Sequence, residues 1–203
     1  MEKPVSQPCL RNQEPIKQVL YKHFKNAGSV LELGCGTGQH AVYCCEHMPH
    51  LNWLPTEMPG NLAGAELWIN EARLPNLSNP VPLDINQKDW QILEGKHFEY
   101  AYCSNLIHFI PEGSVINVFE GVSKYLIEGG LFAIYGPINQ NGFTSEGNAS
   151  LDAWLKSDIH PEAGIKELRE IESWAYQTGL TLIANELMPA NNHVLVFKKT
   201  NGS

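Results

Sequence analysis

The stretch VLELGCGTGQH, residues 30–40, places three glycines at alternate positions directly after an apolar run. The apolar run predicts a buried strand, the glycines a tight turn, and the following TGQHAVYCCEHMPH a helix ending near Pro49. In an open α/β sheet this first strand-to-helix turn is a usual ligand contact. A dinucleotide fingerprint would put its third glycine at position 39, where Gln39 stands, and no Gly-Lys-Ser/Thr follows for a Walker A loop. What remains is Glu32-x-Gly34-x-Gly36-x-Gly38, with an acid two residues before the first glycine.

Working outward, strands and helices alternate. EPIKQVLYKHFK, residues 14–25, has apolar residues at helical spacing and Pro15 suited to a first turn. LNWLPTE and NPVPLDI predict the second and third strands, with NLAGAELWINEARL a helix between them. FEYAYCSNLIHFI predicts a fourth strand running into a loop. GSVINVFEGVSKYLIEGG predicts a helix closed by two glycines, and LFAIYGPI a fifth strand. NQNGFTSEGNAS is a polar loop, followed by expected helices at LDAWLKS and IKELREIESWAYQTG. LTLIANELM and HVLVFKK have no helix between them and predict an antiparallel hairpin at the sheet edge, turned by PANN. The expectation is an α/β fold: a doubly wound, mostly parallel seven-stranded sheet with a C-terminal antiparallel hairpin. It is expected as one domain over 1–203, with residues 1–13 a lid or flexible segment.

Composition narrows the partners. Lys and Arg total 14 against 22 Asp and Glu, a net charge of −8, and no basic tract of five residues occurs. That balance disfavours nucleic acid and anionic membranes. No run approaches the roughly 20 apolar residues of a membrane span, and the N-terminus lacks a signal-like core, so the expected location is the cytoplasm. The five cysteines, Cys9, Cys35, Cys44, Cys45 and Cys103, suit reduced thiols better than a disulfide framework.

The acid before the glycines selects the ligand. A carboxylate there would repel a pyrophosphate and attract positive charge. S-adenosyl-L-methionine carries an ammonium and a sulfonium and no phosphate, so Glu32 is expected toward its amino group, with Gly34, Gly36 and Gly38 as the cradle. Glu57 closes the second strand, where an acid accepts both ribose hydroxyls. Asp84, expected to close the third strand, is placed to accept the adenine amino group.

Several motifs carry a family resemblance. The E-x-G-x-G-x-G core with its strand alternation resembles the seven-stranded, Rossmann-like methyltransferases over roughly residues 14–197. RNQEPI (11–16), GTGQHAVY (36–43), NLIH (105–108), YGPI (135–138), SLDAWLKS (150–157), GIKE (164–167) and MPANN (188–192) resemble the methyltransferase-like protein 26 family, also described as domain of unknown function 938. The resemblance implies the fold and cofactor binding; it lends no settled substrate. Glu57 departs from it where an aspartate is common, and FIPEG (109–113) replaces serine-proline-tryptophan.

Methyl transfer is an in-line displacement, so the protein aligns the acceptor and, where needed, removes a proton. His108, after the fourth strand, is either a general base or a residue that caps the loop and packs on the cofactor. Asn105 either contacts the methionine portion or holds the loop. Tyr135 either orients the acceptor or fills the core. Arg11 and Asn12, expected before the first helix, form either a lid over the cofactor or solvated surface. Ser145, Asn148, Asn191 and Asn192 supply polar groups on the same rim. His40, Cys44 and His47 share a helical face at metal-ligand types, but that face must cover the sheet, so no metal is expected. A small-molecule acceptor is expected, because little chain remains beyond the core for separate recognition. The rival is a methyltransferase-like protein that binds cofactor or a partner without catalysis. A nicotinamide-dependent reductase is opposed by Gly38 and Glu32.

Overall fold

A computed structural model describes residues 2–200 of the chain; Met1 and residues 201–203, the extremes of the expected domain, lie outside the described residues. Seven strands form one sheet: β1 (Gly28–Leu33), β2 (Leu51–Glu57), β3 (Val81–Pro82), β4 (Phe98–Ser104), β5 (Leu126–Pro137), β6 (Leu180–Met188) and β7 (Asn192–Lys199). Their order is β3-β2-β1-β4-β5-β7-β6, all parallel except β7, which runs antiparallel between β5 and β6. The expected α/β class, the seven strands and the antiparallel C-terminal hairpin are all present.

The period-2 alternation of the strands builds two cores. Val30, Tyr100, Tyr102, Ala133, Tyr135, Val194 and Val196 pack on one face beneath α1 (Gln7–His23) and α2 (Gln39–His47). Leu31, Leu33, Ala101, Cys103, Phe132, Ile134, Leu195 and Phe197 pack on the other beneath α4 (Glu112–Tyr125) and α6 (Leu168–Gln177). Helix α3 (Ala63–Ala72) lies against α2 through Val42, Ala65 and Ile69. Among the described residues no helix is long and apolar enough to cross a membrane. All five cysteines are free thiols.

Four expectations need correction. Helix α1 starts at Gln7, not near Pro15, because Ser6 caps it by accepting the Cys9 N–H and Pro8 occupies its first turn. Pro15 lies inside the helix, and Arg11 and Asn12 are helical rather than preceding it. Helix α4 stops at Tyr125, and Gly129 and Gly130 belong to a bulge in β5, where pairing jumps from Leu126 with Phe98 to Leu131 with Tyr100. A Cβ at Gly130 would sit 2.9 Å from the Ile127 carbonyl oxygen. Strand β3 ends at Pro82, so Asp84 lies beyond it. Finally, α5 (Glu146–Trp154) begins inside the expected polar loop, capped by Ser145, which accepts the Asn148 N–H, and continues as a π-helical turn, Leu155–Ile159.

The N-terminal segment is strapped to the helical layer. Lys3 pairs with Glu71 at 2.7 Å, the Trp68 indole N–H donates to the Pro4 carbonyl, and the Ser6 N–H donates to Gln39. This brings the first turn of α1 over the glycine loop.

On the opposite face, a Cβ at Gly121 would fall 2.4 Å from the Trp90 ring, so α4 approaches that indole only because position 121 is bare. Gly121→Ala is expected to destabilise the fold by about 1–3 kcal/mol or more through overpacking, read as a lower urea midpoint. An unchanged midpoint would mean that Trp90 does not wedge against α4.

Candidate functional site

From β1 the chain winds outward through β2 to β3, then crosses back to β4 on the other side of β1. The loops leaving β1 and β4 therefore diverge, and a crevice opens between them, the usual ligand position in such sheets. A cleft of about 410 Å³ occupies it, lined by Glu32, Gly34 and Gly36 from the first loop and Ser104, Asn105 and His108 from the second. Pro8 and Cys9 of α1 and Leu151 of α5 complete its walls. Phe109 meets Trp154 edge to face, tying the second loop to the end of α5.

The three loop glycines all take positive φ, at 64°, 56° and 78°. They do different work. A Cβ at Gly36 would meet nothing within 4 Å, so its backbone faces open cleft. A Cβ at Gly38 would press on the Ala65 backbone of α3 at 3.1 Å. Gly38 is thus where α2 and α3 approach closely, and it does not line the cleft, contrary to its expected place in the cradle. Gly34 lines the cleft and lies beside Leu106.

Glu32 projects from the α1/α2 face of β1 into apolar surroundings and is only 2 % exposed. The Trp53 indole N–H donates to it at 2.8 Å. Burial pushes its carboxyl up to about 7; the Trp53 bond opposes that and the nearby Glu57 charge adds to it. No Lys or Arg lines the cleft, and its two imidazoles, His40 and His108, are each pushed down to about 4 by burial. Burial also raises the Cys9 and Cys35 thiols on the same wall, so neither is a ready thiolate. The donor set suits a ligand that brings positive charge and offers nothing to a pyrophosphate.

Glu57 accepts the Gly36 N–H at 2.7 Å and the Met58 N–H at 2.8 Å, one on each oxygen. A carboxylate has about four acceptor sites, so two stay free on the side shared with Gly36 and Thr37. Asp84 is different. Its carboxylate accepts the backbone and side-chain N–H groups of Asn86 and the Gln87 amide, closing its own turn. It lines none of the cavities around the glycine loop, so the structure does not bring the third acid to the site.

Asn105 has φ +53°, a left-handed conformation that asparagine tolerates, and its N–H donates to the Tyr135 carbonyl. This fixes the turn that delivers His108. His108 is 2 % exposed, and its Nδ1 has no hydrogen-bond partner among the described residues; the same holds for Ser104 Oγ. The imidazole lies over Gly136, where a Cβ would come within 3.4 Å of Nδ1. Two buried polar atoms without a protein partner line one cleft, which suits a ligand able to hydrogen-bond there.

Tyr135 and Asn12 sit next to this cleft, in a second cavity of about 350 Å³ that also includes Arg11, Asn105 and Asn192. Asn148 instead bonds Thr144, and Asn191 stays in the β6–β7 turn. His40 donates from Nε2 to Asn12 Oδ1 at 2.7 Å, and His47 bonds the Tyr43 carbonyl, so the helical His/Cys face is core and capping. Among the described residues no three His, Cys, Asp or Glu side chains gather to hold a metal. Sequence reading missed Trp53, Ser104 and Leu151. Trp53 was accessible by alternation, since β2 pairs with β1 in register, Val30 opposite Trp53.

The family model described as Protein of unknown function (DUF938) matches residues 3–199. The chain belongs to that family. Solved structures resembling this DUF938 chain include an O-methyltransferase family protein from Burkholderia thailandensis, 14% identical, TM-score 0.80, covering 96% of this chain and 58% of that one. The S-adenosylmethionine-dependent methyltransferase SibL in its apo form is 18% identical, TM-score 0.75, covering 93% and 56%. The mitomycin 7-O-methyltransferase MmcR is 12% identical, TM-score 0.80, covering 94% and 54%. At these identities the likeness establishes the methyltransferase fold. The DUF938 chain spans little more than half the length of these proteins.

The raised carboxyl of Glu32 predicts a stability signature. Its folded pKa, about 7, exceeds the 4.5 of an unburied glutamate, so its contribution is fully present below about pH 4.5 and is lost as pH rises through 7. Glu32→Gln removes that dependence. The unfolding free energy of the variant relative to the parent, read by urea titration, is expected to improve by about 2–3 kcal/mol between pH 5 and pH 8. A pH-independent difference would mean that Glu32 ionises freely in the fold.

Proposed function

We propose that this DUF938 chain is an S-adenosyl-L-methionine-dependent methyltransferase that passes a methyl group in line to a small-molecule acceptor. The reading treats the chain as one domain working in the cytoplasm, and as a relative of methyltransferase-like protein 26 on the shared motifs. One observation carries it: the crevice at the strand-order reversal holds a buried carboxylate, open glycine backbone and no cation. When bound, the cofactor supplies a methyl group made electrophilic by its sulfonium.

The chain's own residues divide the remaining work. Glu32, once ionised, holds the cofactor ammonium, and Gly34 and Gly36 let the backbone close on it. Glu57 offers its two free acceptor sites to the ribose hydroxyls. Asn105 meets the methionine portion, and Asn12 reaches down from α1 as part of the lid. Asp84 lines none of these cavities but keeps one acceptor site free of its own turn, through which it is the proposed partner of the adenine amino group. His108 stays uncharged at neutral pH, with burial and the nearby Lys166 charge holding its pKa near 4. It is ready to take a proton from the acceptor, although as a weak base. Tyr135 orients the acceptor from the adjoining cavity. Both cavities fall within the size range of small-molecule sites, and the net charge of −8 argues against nucleic acid.

Calorimetric titration tests the cofactor. Adenosylmethionine is expected to bind, with affinity falling up to about tenfold per pH unit below 7 as Glu32 must lose a proton. Glu57→Ala is expected to weaken binding by about 1–3 kcal/mol. No heat at millimolar cofactor would leave the fold without the activity. For the chemistry, labelled adenosylmethionine with cell extract identifies the methylated fraction, expected to be small molecules. With that acceptor, His108→Ala is expected to lose roughly 100-fold in turnover with adenosylhomocysteine affinity unchanged. Normal turnover would reduce His108 to a loop residue.

A further inference from the structure

The second cavity adjoins the cofactor cleft, and Pro8, Asn105 and Leu151 line both. Its remaining walls include Pro15 of α1, Pro137 of β5 and Pro189 of the turn between β6 and β7. Polar groups there are few, and their free valences have one sign. Arg11 contributes a guanidinium that no ion pair or hydrogen bond engages among the described residues. No Asp or Glu lines the cavity. The one acid nearby on α1, Glu14, is already held by Tyr43, Lys17 and Gln18.

A chain of hydrogen bonds fixes Asn12 beside this cavity. His40 is neutral, so with Nε2–H given to Asn12 Oδ1 at 2.7 Å its Nδ1 accepts the Tyr102 hydroxyl at 3.4 Å. The Asn12 oxygen is thereby occupied, and Asn12 lines the same cavity as Tyr135. Burial raises the Tyr135 pKa, and the neighbouring Asn12 and Arg11 oppose it. No hydrogen bond engages the Tyr135 hydroxyl among the described residues, so its O–H is left for the cavity. Exposed Arg11 and buried Tyr135 therefore offer free donors to the same cavity.

Resting on the methyltransferase reading above, we propose that this cavity is the acceptor site and that it takes a small, largely apolar carboxylic acid, anchored by Arg11 and oriented by Tyr135. A single fork of N–H donors matches a singly charged carboxylate in geometry and charge. A phosphate monoester brings two charges to one cation and fits less well.

The test uses the full chain saturated with adenosylhomocysteine, titrated calorimetrically with a panel of aromatic and aliphatic carboxylates led by benzoate, their primary amides, and phenyl phosphate. Acids are expected to bind at least about tenfold tighter than their amides. Arg11→Gln erases that preference, Arg11→Lys keeps part of it, and Tyr135→Phe weakens the acids several-fold with little effect on the amides. Equal binding of acids and amides, an intact preference in Arg11→Gln, no binding by any acid, or tighter binding of phenyl phosphate would each overturn the proposal. Failure to bind adenosylhomocysteine is a separate result, and it overturns the methyltransferase reading itself.

Discussion

Glu32 occupies a strand position whose neighbours on the same face are Val30, Trp53 and Tyr102, and burial among them pushes its carboxyl up to about 7. An apolar residue there would pack as well and cost nothing to desolvate. Keeping a carboxylate makes the empty cleft less stable than it could be, and the deficit is relieved by a ligand that brings a cation. That coupling explains why Trp53 donates a single hydrogen bond to Glu32 and no basic side chain neutralises it. A resident Lys or Arg would stabilise the free protein and remove the reason to bind.

The sheet order converts this local constraint into a site with two compartments. Because β1 and β4 are neighbours whose following loops part, the glycine turn faces one side of the crevice and the Asn105–His108 turn the other. Both turns rely on positive φ, at glycine in the first and at Asn105 in the second. Helix α1 closes the top, and His40 links it to the sheet face through Tyr102 and Asn12. The cleft at the glycine turn and the adjoining cavity are thus roofed by one helix. A change in either is felt by Asn12.

Much of this was legible in the sequence because it rests on local chemistry. The strand alternation, the antiparallel hairpin, the glycine turn and Glu32 follow from periodicity and from which residues tolerate which backbone. What was misread depended on tertiary context. Pro8 and Pro15 are equally good first-turn residues, and the Ser6 cap decides between them. Gly129 and Gly130 look like a helix stop until the register of β5 against β4 demands a bulge. Gly38 belongs to the motif, yet the close approach of Ala65 is what requires it. Asp84 was expected at a strand end, but β3 has only two residues, and the turn after it absorbs the carboxylate.

This chain spans only a little over half the length of the larger structures its fold resembles. Here the walls of the second cavity come from the core elements themselves: the first turns of α1, the end of β5, α5 and the β6–β7 turn. Pro189 stiffens the β6–β7 turn on this wall, because a fixed φ lowers the entropy lost on ordering a loop. A cavity built this way discriminates by the few donors it holds rather than by an enveloping surface. Arg11 is the one charged group among them, so the sign of its charge, more than the shape of the pocket, is what selects the acceptor.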